Sequence, residues 1–272
     1  MTESLVILGC GFTGIAAARL WLHAGGRVVG TTRSVARAES LARVGIDVRV
    51  LPRLDVDNGL SLIDEKTSVL VTYPPDAETD QSILPLLSRA RAAVYISSTG
   101  VYGNASGHID ESTPVDLTEP RAALRFSAEA LALDAGAVVL RAAAIYGPGR
   151  GLHVRLARGE HRIAEGGRSV VSRIHVEDLA RFCIAALERG PKREVFVVAD
   201  DAPVPQAEVI TWLCEKLGVP LPAEIPREQL PATLQNDRRI NARKIQRVFG
   251  LSLHFPTYRE GFTNCFELEG RG

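Results

Sequence analysis

The sequence has no excess of charge of either sign, because its 272 residues include 32 basic and 32 acidic side chains. A chain without net charge is not expected to hold nucleic acid or an anionic membrane surface through bulk electrostatics. It also lacks an apolar run of the roughly 18–20 residues that a membrane-spanning helix needs. The amino terminus enters an apolar stretch directly, without the basic segment and cleavage site of a secretory signal. We therefore predict a cytoplasmic protein without a membrane or nucleic-acid partner.

Patterns that bind metals or form disulfide frameworks are also missing. The four cysteines are scattered and contain no CxxC pair. This spacing is typical of reduced thiols in a cytoplasm. We find no cluster of metal-ligating residues and no GxSxG turn carrying a nucleophilic serine, and we predict no metal. The cysteines are Cys10, Cys183, Cys214 and Cys265.

Short apolar runs rich in β-branched residues alternate with longer helical stretches through the first two-thirds of the chain. The apolar runs are continuous, as expected for strands that helices cover on both faces. This alternation predicts an α/β fold with a doubly wound parallel sheet. The predicted strands are residues 4–8, 27–31, 47–51, 69–72, 93–97 and 137–141.

After about residue 150 the pattern loosens. We predict helices over residues 177–189 and 206–217, with a strand over 194–198 between them. A connection rich in proline follows, and Asn241 can cap a last helix that ends before Gly250. The sequence thus predicts a nucleotide-binding domain over residues 1–150. A smaller C-terminal α/β lobe over 151–272 would complete a substrate cleft in the same compact unit.

The first predicted strand runs into the motif GCGFTG, a GxGxxG pattern that opens a helix. In such a loop Gly9 permits a tight turn, Gly11 lets the backbone approach a pyrophosphate, and Gly14 lets the helix pack closely. The helix N-terminus adds unpaired N–H groups and a partial positive charge. We predict dinucleotide binding here, with Phe12 and Thr13 contributing. A glycine turn without a ligand is the alternative.

The end of the second predicted strand bears on the choice of cofactor. An acidic residue there would bind the ribose 2′-hydroxyl of NAD, but the sequence continues Gly-Thr-Thr-Arg-Ser. Thr32 and Arg33 suit a 2′-phosphate, because a guanidinium can pair with it in bidentate fashion. We therefore predict NADP, with NAD as the alternative. Arg33 could equally be a solvated charge at a strand end.

Five segments together resemble the extended short-chain dehydrogenase/reductase family, also called the NAD-dependent epimerase/dehydratase family. They read LVILGCGFTG, YISSTGVYG, VVLRAAAIYGPGR, RIHVEDLA and VFVVADDAPVPQAEV. The resemblance implies a Rossmann domain, a nicotinamide cofactor and a catalytic hydroxyl at Ser98. It places Arg173 and His175 at the substrate cleft. A purely structural role for RIHVEDLA, with Asp178 capping the next helix, stays open.

The same resemblance predicts further cofactor contacts, which follow three of the predicted strands. The segment after the sixth strand would lie near the nicotinamide. The residues concerned are Tyr73, Pro74, Ser97, Tyr146 and Pro148.

One part of the family pattern is absent. The family uses a Tyr and a Lys four residues apart, in which the Lys and the nicotinamide lower the pKa of the phenol so that it exchanges a proton. In this chain Arg121 and Arg125 occupy those positions, and no tyrosine is followed four residues later by Lys. Arginine stays protonated and cannot act as a general acid. Tyr102 and His175 are the candidate replacements.

Arg121 and Arg125 lie one helical turn apart and could bind an anionic group of a substrate, or they could form a solvated basic face.

The sequence as a whole leaves three candidate functions. The first is an oxidoreductase or epimerase that acts on a small polar or sugar-like substrate with an unusual proton donor. The second is a non-catalytic protein that senses NADP(H). The third, a Rossmann protein for a flavin or S-adenosylmethionine, fits the later motifs less well. The resemblance also implies a homodimer, and the substrate itself is unknown.

Overall fold

The computed structural model describes residues 3–230 and 237–270 of the chain. Its strands are β1 (Ser4–Leu8), β2 (Arg27–Thr32), β3 (Asp47–Val50), β4 (Thr67–Val71), β5 (Ala92–Ser98), β6 (Gly107–Ile109), β7 (Val138–Ala142), β8 (Ala144–Tyr146), β9 (Ile163–Ala164), β10 (Arg173–His175), β11 (Val195–Val198), β12 (Glu224–Ile225) and β13 (Arg238–Ile240). Its α-helices are α1 (Phe12–His23), α2 (Val35–Ala42), α3 (Val56–Leu62), α4 (Ala77–Ile83), α5 (Pro120–Asp134), α6 (Leu152–Ala157), α7 (Val176–Arg189), α8 (Gln206–Leu217), α9 (Arg243–Phe249) and α10 (Tyr258–Leu268).

Within these residues the largest sheet has seven strands in the order β11-β7-β5-β4-β1-β2-β3. All of its pairs are parallel. The order runs outward in both directions from β1, so the predicted doubly wound α/β fold is confirmed. Each predicted strand of the sheet is present, with ends that shift by one or two residues. The strand over Val195–Val198 also joins this sheet, which is therefore not confined to residues 1–150.

Apolar side chains cover both faces of the sheet. On one face α1 and α7 pack together and bury Trp21 and Phe182. On the other face α4 and α5 cover the sheet and bury Ile83 and Ala128. Burying a large apolar side chain contributes about 1.5–3 kcal/mol, so these two layers fix the sheet and hold the carboxyl ends of its strands in place.

The smaller lobe has a separate core around α8 and α10. Tyr146 packs against Phe262 with ring centroids 4.4 Å apart, and Leu213 and Tyr258 are buried beside them. Helix α10 starts with a capping box in which Thr257 and Glu260 bond to each other's backbone. The sequence prediction missed this helix, although the Thr-x-x-Glu pattern is its ordinary start signal.

The helix expected before Gly250 is present as α9. Its N-cap is Ala242 and not Asn241, whose Oδ1 accepts a 3.3 Å hydrogen bond from the Arg243 amide. Among the helices of the described residues, none combines the length and the apolar character that crossing a membrane requires.

Candidate cofactor and substrate site

The glycine motif forms the connection between β1 and α1. Gly11 is the N-cap of the helix and offers no side chain to its first amides. The loop is anchored on both sides, because the Gly9 amide donates to Thr31 Oγ1 at 2.8 Å and Thr72 Oγ1 donates to the Gly9 carbonyl at 2.6 Å. The loop and the start of α1 are therefore held in a fixed position, as an anion site requires.

The three glycines of the motif differ in backbone conformation and in the space that a side chain would have. Gly9 has a positive φ of 78°, and a methyl group there would lie 2.7 Å from Tyr73 Cβ. A methyl group at Gly14 would lie 2.9 Å from Ile7 Cγ2. At Gly11 the nearest neighbour of such a methyl would be the Gly9 carbonyl oxygen at 3.6 Å, and φ is −102°. The protein itself thus leaves room for a side chain at Gly11, next to the helix N-terminus.

The residues predicted to select the cofactor lie at the end of β2. Thr32 Oγ1 accepts a hydrogen bond from the Ser34 amide at 3.1 Å, and Arg33 is exposed. Sequence reasoning missed Arg37, which is exposed in the first turn of α2 and acts electrostatically on Cys10 of the glycine loop. Its spacing of four residues from Arg33 was the available signal. Arg37 therefore lies near the glycine loop.

Ser98 and Arg125 both lie near Gly100. The Ser98 hydroxyl oxygen accepts a 3.1 Å hydrogen bond from the Gly100 amide, so its proton remains available for donation. A methyl group at Gly100 would lie 3.4 Å from Ser98 Oγ and 3.9 Å from Arg125 Nε. Arg125 is half-buried, whereas Arg121, one turn earlier on α5, is exposed. The structure thus brings one of the two arginines next to Ser98.

Ser97 and Tyr102 belong to a buried polar group on the other side of the strand end. Arg141 donates hydrogen bonds to both carboxylate oxygens of Glu129, at 2.7 and 3.1 Å, and Ser97 Oγ donates to Glu129 at 2.5 Å. The Tyr102 hydroxyl donates to the Asp110 carbonyl at 2.8 Å and accepts from Arg141 at 3.0 Å. Burial raises the pKa of Tyr102. Its hydroxyl is therefore engaged inside the protein.

His175 is the N-cap of α7, where its Nδ1 accepts a 3.3 Å hydrogen bond from the Glu177 amide. The ring is 1 % exposed and lies 4.1 Å, between centroids, from the Phe255 ring. Burial lowers the pKa of His175 to about 4, so the ring is neutral at pH 7. Asp178 does not cap this helix, since its carboxylate accepts from the amides of His254 and Phe255.

The remaining predicted cofactor residues occupy different surroundings. Tyr146 lies in the core of the small lobe with its hydroxyl against Gly261. Tyr73 covers Gly9 through its Cβ atom, while its buried hydroxyl lies near Asp80. Pro74 is exposed and Pro148 is half-buried. Of this group, Tyr73 has a direct contact with the glycine loop.

A cavity of about 400 Å³ opens between α6 and the small-lobe strands. Its wall is strongly basic. Arg173 is 4 % exposed, and its Nη1 has no hydrogen-bond partner in the described part of the chain. Both nitrogens of His161 are likewise buried without partners there, and burial lowers the pKa of this ring to about 4. The arginine and histidine residues of the wall are Arg150, Arg155, Arg158, His161 and Arg173.

Asp200 provides a negative charge near Arg173. It lies just beyond the end of β11 and is 2 % exposed, and neither carboxylate oxygen has a hydrogen-bond partner within the described residues. Burial raises its pKa to about 7, against the opposing attraction of Arg173. Sequence reasoning did not identify Asp200 or the cavity arginines other than Arg173. The Arg155 and Arg158 spacing on α6 was a weak signal for a basic helix face.

Phe12 connects this cavity to the glycine loop. The Arg150 guanidinium carbon lies 5.2 Å from the centre of the Phe12 ring. A methyl group at Gly147 would lie 3.1 Å from the same ring. The cofactor loop and the basic cavity are therefore neighbouring parts of one cleft. In the described residues, no group of His, Cys, Asp and Glu side chains has the arrangement to hold a metal ion.

Comparison with known proteins agrees with this geometry. Residues 5–199 match the model of the NAD dependent epimerase/dehydratase family. A conserved protein of unknown function from Silicibacter pomeroyi has 30 % identity and a TM-score of 0.83, with 98 % of this chain and 99 % of that chain covered. The dTDP-glucose 4,6-dehydratase of Bacillus anthracis, solved in complex with NAD, has 18 % identity and a TM-score of 0.81 over 100 % and 97 % of the two chains. At this identity the second likeness concerns the fold.

A curated relative of shorter overlap is a reductase. The 3-diazoavenalumate denitrifying reductase of a Streptomyces species is 33 % identical over 140 residues, which are 46 % of this chain and 46 % of that protein. The match therefore spans just under half of the relative's length.

Proposed function

The chain belongs to the NAD-dependent epimerase/dehydratase family, and on this basis we propose that it is a nicotinamide-dependent oxidoreductase acting on a small anionic substrate. Gly11 is the observation that carries the proposal. The fold does not need a glycine there, whereas a pyrophosphate lying against the N-terminus of α1 would. The bound nicotinamide would supply or accept a hydride. The protein's own part is to bind, orient and screen the reactants.

The basic cavity supports an anionic substrate. Arg173 is buried, and its Nη1 finds no hydrogen-bond partner among the residues that the structure describes. A buried donor of this kind costs about 1–3 kcal/mol unless a ligand or water satisfies it. Arg150 connects the cavity to the cofactor loop through Phe12. A carboxylate or phosphate bound near Arg173 would place the rest of a small molecule toward the loop. The reductase relative supports reduction as the direction of the reaction.

NADP is the proposed form of the cofactor. Arg33 and Arg37 are both exposed at the end of β2 where the adenosine ribose of a dinucleotide would lie. This turn has no acidic residue of the kind that binds the ribose 2′-hydroxyl of NAD. Two guanidinium groups provide donors for a 2′-phosphate at this position.

A sensor of NADP(H) is the second candidate. The observation favouring it is that Tyr102 and His175, the proposed replacements for the family's tyrosine, are buried and engaged within the protein. A protein of this kind would bind the cofactor and transmit its redox state without turnover.

Two measurements separate the candidates. Calorimetric titration should show NADPH binding, and NADPH oxidation should be followed with a panel of carboxylated aldehydes, ketones and enones. An oxidoreductase should consume NADPH with at least one of them, and Ser98→Ala should reduce that rate far more than Arg121→Ala. Absence of NADPH binding would reject both candidates, whereas tight binding without oxidation would favour the sensor.

A further inference from the structure

We propose that Ser98 and Arg125 together hold a developing oxyanion, and that the substrate is a conjugated carbonyl compound, an enone that also carries an anionic group. This inference rests on the proposed function and names its substrate class. The substrate class follows from which residues near Ser98 could transfer a proton to the substrate.

The hydroxyls of the five tyrosines are either buried or bonded within the protein. Tyr95 and Tyr102 are fully buried in the main domain, and Tyr146 lies in the core of the small lobe. Tyr258 donates to Glu208, and the Tyr73 hydroxyl is buried near Asp80. Burial raises the pKa of each of these phenols. None of the five therefore resembles a phenol tuned to exchange a proton near pH 7.

The six histidines of the chain are equally unsuited to proton transfer at Ser98. His153 is buried and bonded to Glu269, and burial lowers the pKa of His161 and His175 to about 4. The other three are exposed: His23 ends α1, far from the glycine loop, His108 lies on β6, and His254 faces Glu177.

Asp80 and Asp200 are the two buried acidic residues with a raised pKa within the residues that the structure describes. Asp80 Oδ1 has no hydrogen-bond partner there, and Arg125 acts electrostatically on this carboxyl group. Glu129 is bonded to Ser97 and Arg141, and Asp80 accepts from the Asp76 amide. Asp200 follows β11, which β7 separates from β5 and Ser98. Two strand spacings amount to about 9–10 Å. Residues 231–236 read PATLQN and contain no acid, histidine, lysine or tyrosine.

The charged group near Ser98 is the guanidinium of Arg125, which stays cationic. Arg125 Nε and Ser98 Oγ border one small space above Gly100, and the Ser98 proton is available because its oxygen already accepts from the Gly100 amide. A guanidinium keeps its proton, so it can stabilise an oxyanion but cannot neutralise it by proton transfer. Ser98 and Arg125 therefore suit a substrate that becomes a stabilised anion when it accepts a hydride. Such an anion does not need to be protonated at once.

An enone meets this condition and a simple ketone does not. Hydride transfer to the β-carbon forms a C–H bond, the C=C electron pair moves to give an enolate, and NADPH becomes NADP⁺. Water then protonates the enolate, so the sum is enone plus NADPH plus H⁺ giving ketone plus NADP⁺. Reduction of an isolated ketone gives a far more basic alkoxide, which needs a proton as the hydride arrives.

A matched pair of substrates tests the proposal. trans-3-Benzoylacrylate contains a carboxylate and an enone, and 3-benzoylpropionate is the same skeleton with an isolated ketone. We expect the wild-type protein to oxidise NADPH with the enone at least about 100-fold faster than with the ketone, since acid–base catalysis contributes roughly 10²–10⁴-fold. The enone rate should show a primary isotope effect from 4-deuterated NADPH and a solvent isotope effect close to one.

Variants assign the effect to the pair. Arg125→Met should lower the enone rate about 10²–10³-fold, as loss of one oxyanion donor does, while Arg125→Lys should retain part of it. Arg43→Met, on the exposed end of α2, is the matched control. Melting curves should show that each variant is folded.

Several results would overturn the inference. A ketone rate equal to the enone rate would do so, as would full activity in folded Arg125→Met. A pH-dependent reduction rate that Asp80→Asn or Asp200→Asn abolishes would also do so, because it would identify a protein proton donor. Binding of NADPH without reduction of either compound would reject the enone class and leave the sensor candidate. Failure to bind NADPH would instead reject the proposed function itself.

Discussion

Gly11 and Gly14 lie in one loop, yet the fold requires a glycine at only one of them. A methyl group at Gly14 would lie 2.9 Å from Ile7 Cγ2, closer than real carbon contacts allow, whereas the nearest atom to a methyl at Gly11 is 3.6 Å away. Helix packing therefore selects Gly14. The proposed cofactor, which would approach the backbone from outside the protein, would account for Gly11.

The two glycines should consequently respond differently to substitution. Gly11→Val should keep the melting temperature close to that of the wild type and abolish NADPH binding, because the branched side chain occupies the position of the pyrophosphate. Gly14→Val should destabilise the protein by about 1–3 kcal/mol through overpacking. Thermal melts and calorimetric titration measure the two effects. Unchanged NADPH affinity in a folded Gly11→Val protein would reject the cofactor site.

Arg33 should determine the preference between the two nicotinamide cofactors. Arg33→Ala should weaken NADPH binding by roughly 1.5–3 kcal/mol, the scale of a charge-assisted contact, and leave NADH binding nearly unchanged. Arg43→Ala, at the other end of α2, controls for loss of a surface charge. Titration of both cofactors against each variant decides the question. Equal losses for NADPH and NADH, or tighter NADH binding by the wild type, would contradict the assignment.

The glycine loop and the alternation of strands and helices could be predicted because their signals are local. A GxGxxG motif after an apolar run fixes its own place at the first strand–helix junction, and the structure has it there. The cavity could not be predicted in the same way. Arg150, Arg173 and Asp200 come from separate segments, and their proximity depends on how the small lobe packs on the sheet.

The direction in which a side chain points was a second limit on predicting the site from the sequence. Tyr102 follows Ser98 by four residues and was a reasonable candidate for proton transfer. Its hydroxyl nevertheless points to Arg141, a residue 39 positions away on β7. Only tertiary packing determines which partner a loop tyrosine meets.

The buried pair of Glu129 and Arg141 should be essential for stability. Glu129→Gln removes the charge but nearly keeps the shape, so it leaves Arg141 without a counterion and should cost about 3–5 kcal/mol. Asp47→Asn is the control, because the pair of Asp47 with Arg49 is about half exposed and should contribute less than about 1 kcal/mol. Urea unfolding gives both free energies. A loss below about 1 kcal/mol for Glu129→Gln would show that the pair is not desolvated.

Acid should destabilise the protein through its buried histidines. Burial holds the pKa of His161 and His175 at about 4, below the value of about 6.5 in the unfolded chain. The unfolded state therefore binds more protons between these values, and each histidine lowers stability by up to about 1.4 kcal/mol per pH unit as the pH falls through this window. His161→Gln should flatten the dependence, and His108→Gln, at an exposed position, should not.

Asp200 should act in the opposite sense. Its pKa is raised to about 7 in the folded protein, so its stabilising contribution is complete below about pH 4 and is lost as the pH rises to about 7. Asp200→Asn should remove this loss, making the rise in stability from pH 4 to 6.5 steeper than in the wild type. Urea unfolding measured at intervals from pH 4 to 8 tests both Asp200→Asn and His161→Gln. Parallel curves for Asp200→Asn and the wild type would show that the carboxyl group is ionised throughout.

The arginines of α5 should be the reason why the protein handles isolated ketones poorly. Arg121 and Arg125 stand where the family has its tyrosine and lysine, and both positions lie on a helix that is well packed through Ala122 and Ala128. The double substitution Arg121→Tyr with Arg125→Lys places a phenol and an ammonium group four residues apart on that helix. With the nicotinamide bound, the phenol could donate the proton that an alkoxide needs. We expect NADPH oxidation with 3-benzoylpropionate to rise by at least about tenfold, a part of the roughly 10²–10⁴-fold that acid–base catalysis can provide.

Arg121→Phe with Arg125→Lys is the matched control, because it keeps the ring and removes the hydroxyl. Equal ketone rates in the two double variants would show that the missing phenol does not limit this chemistry, and the site would then discriminate against ketones by binding.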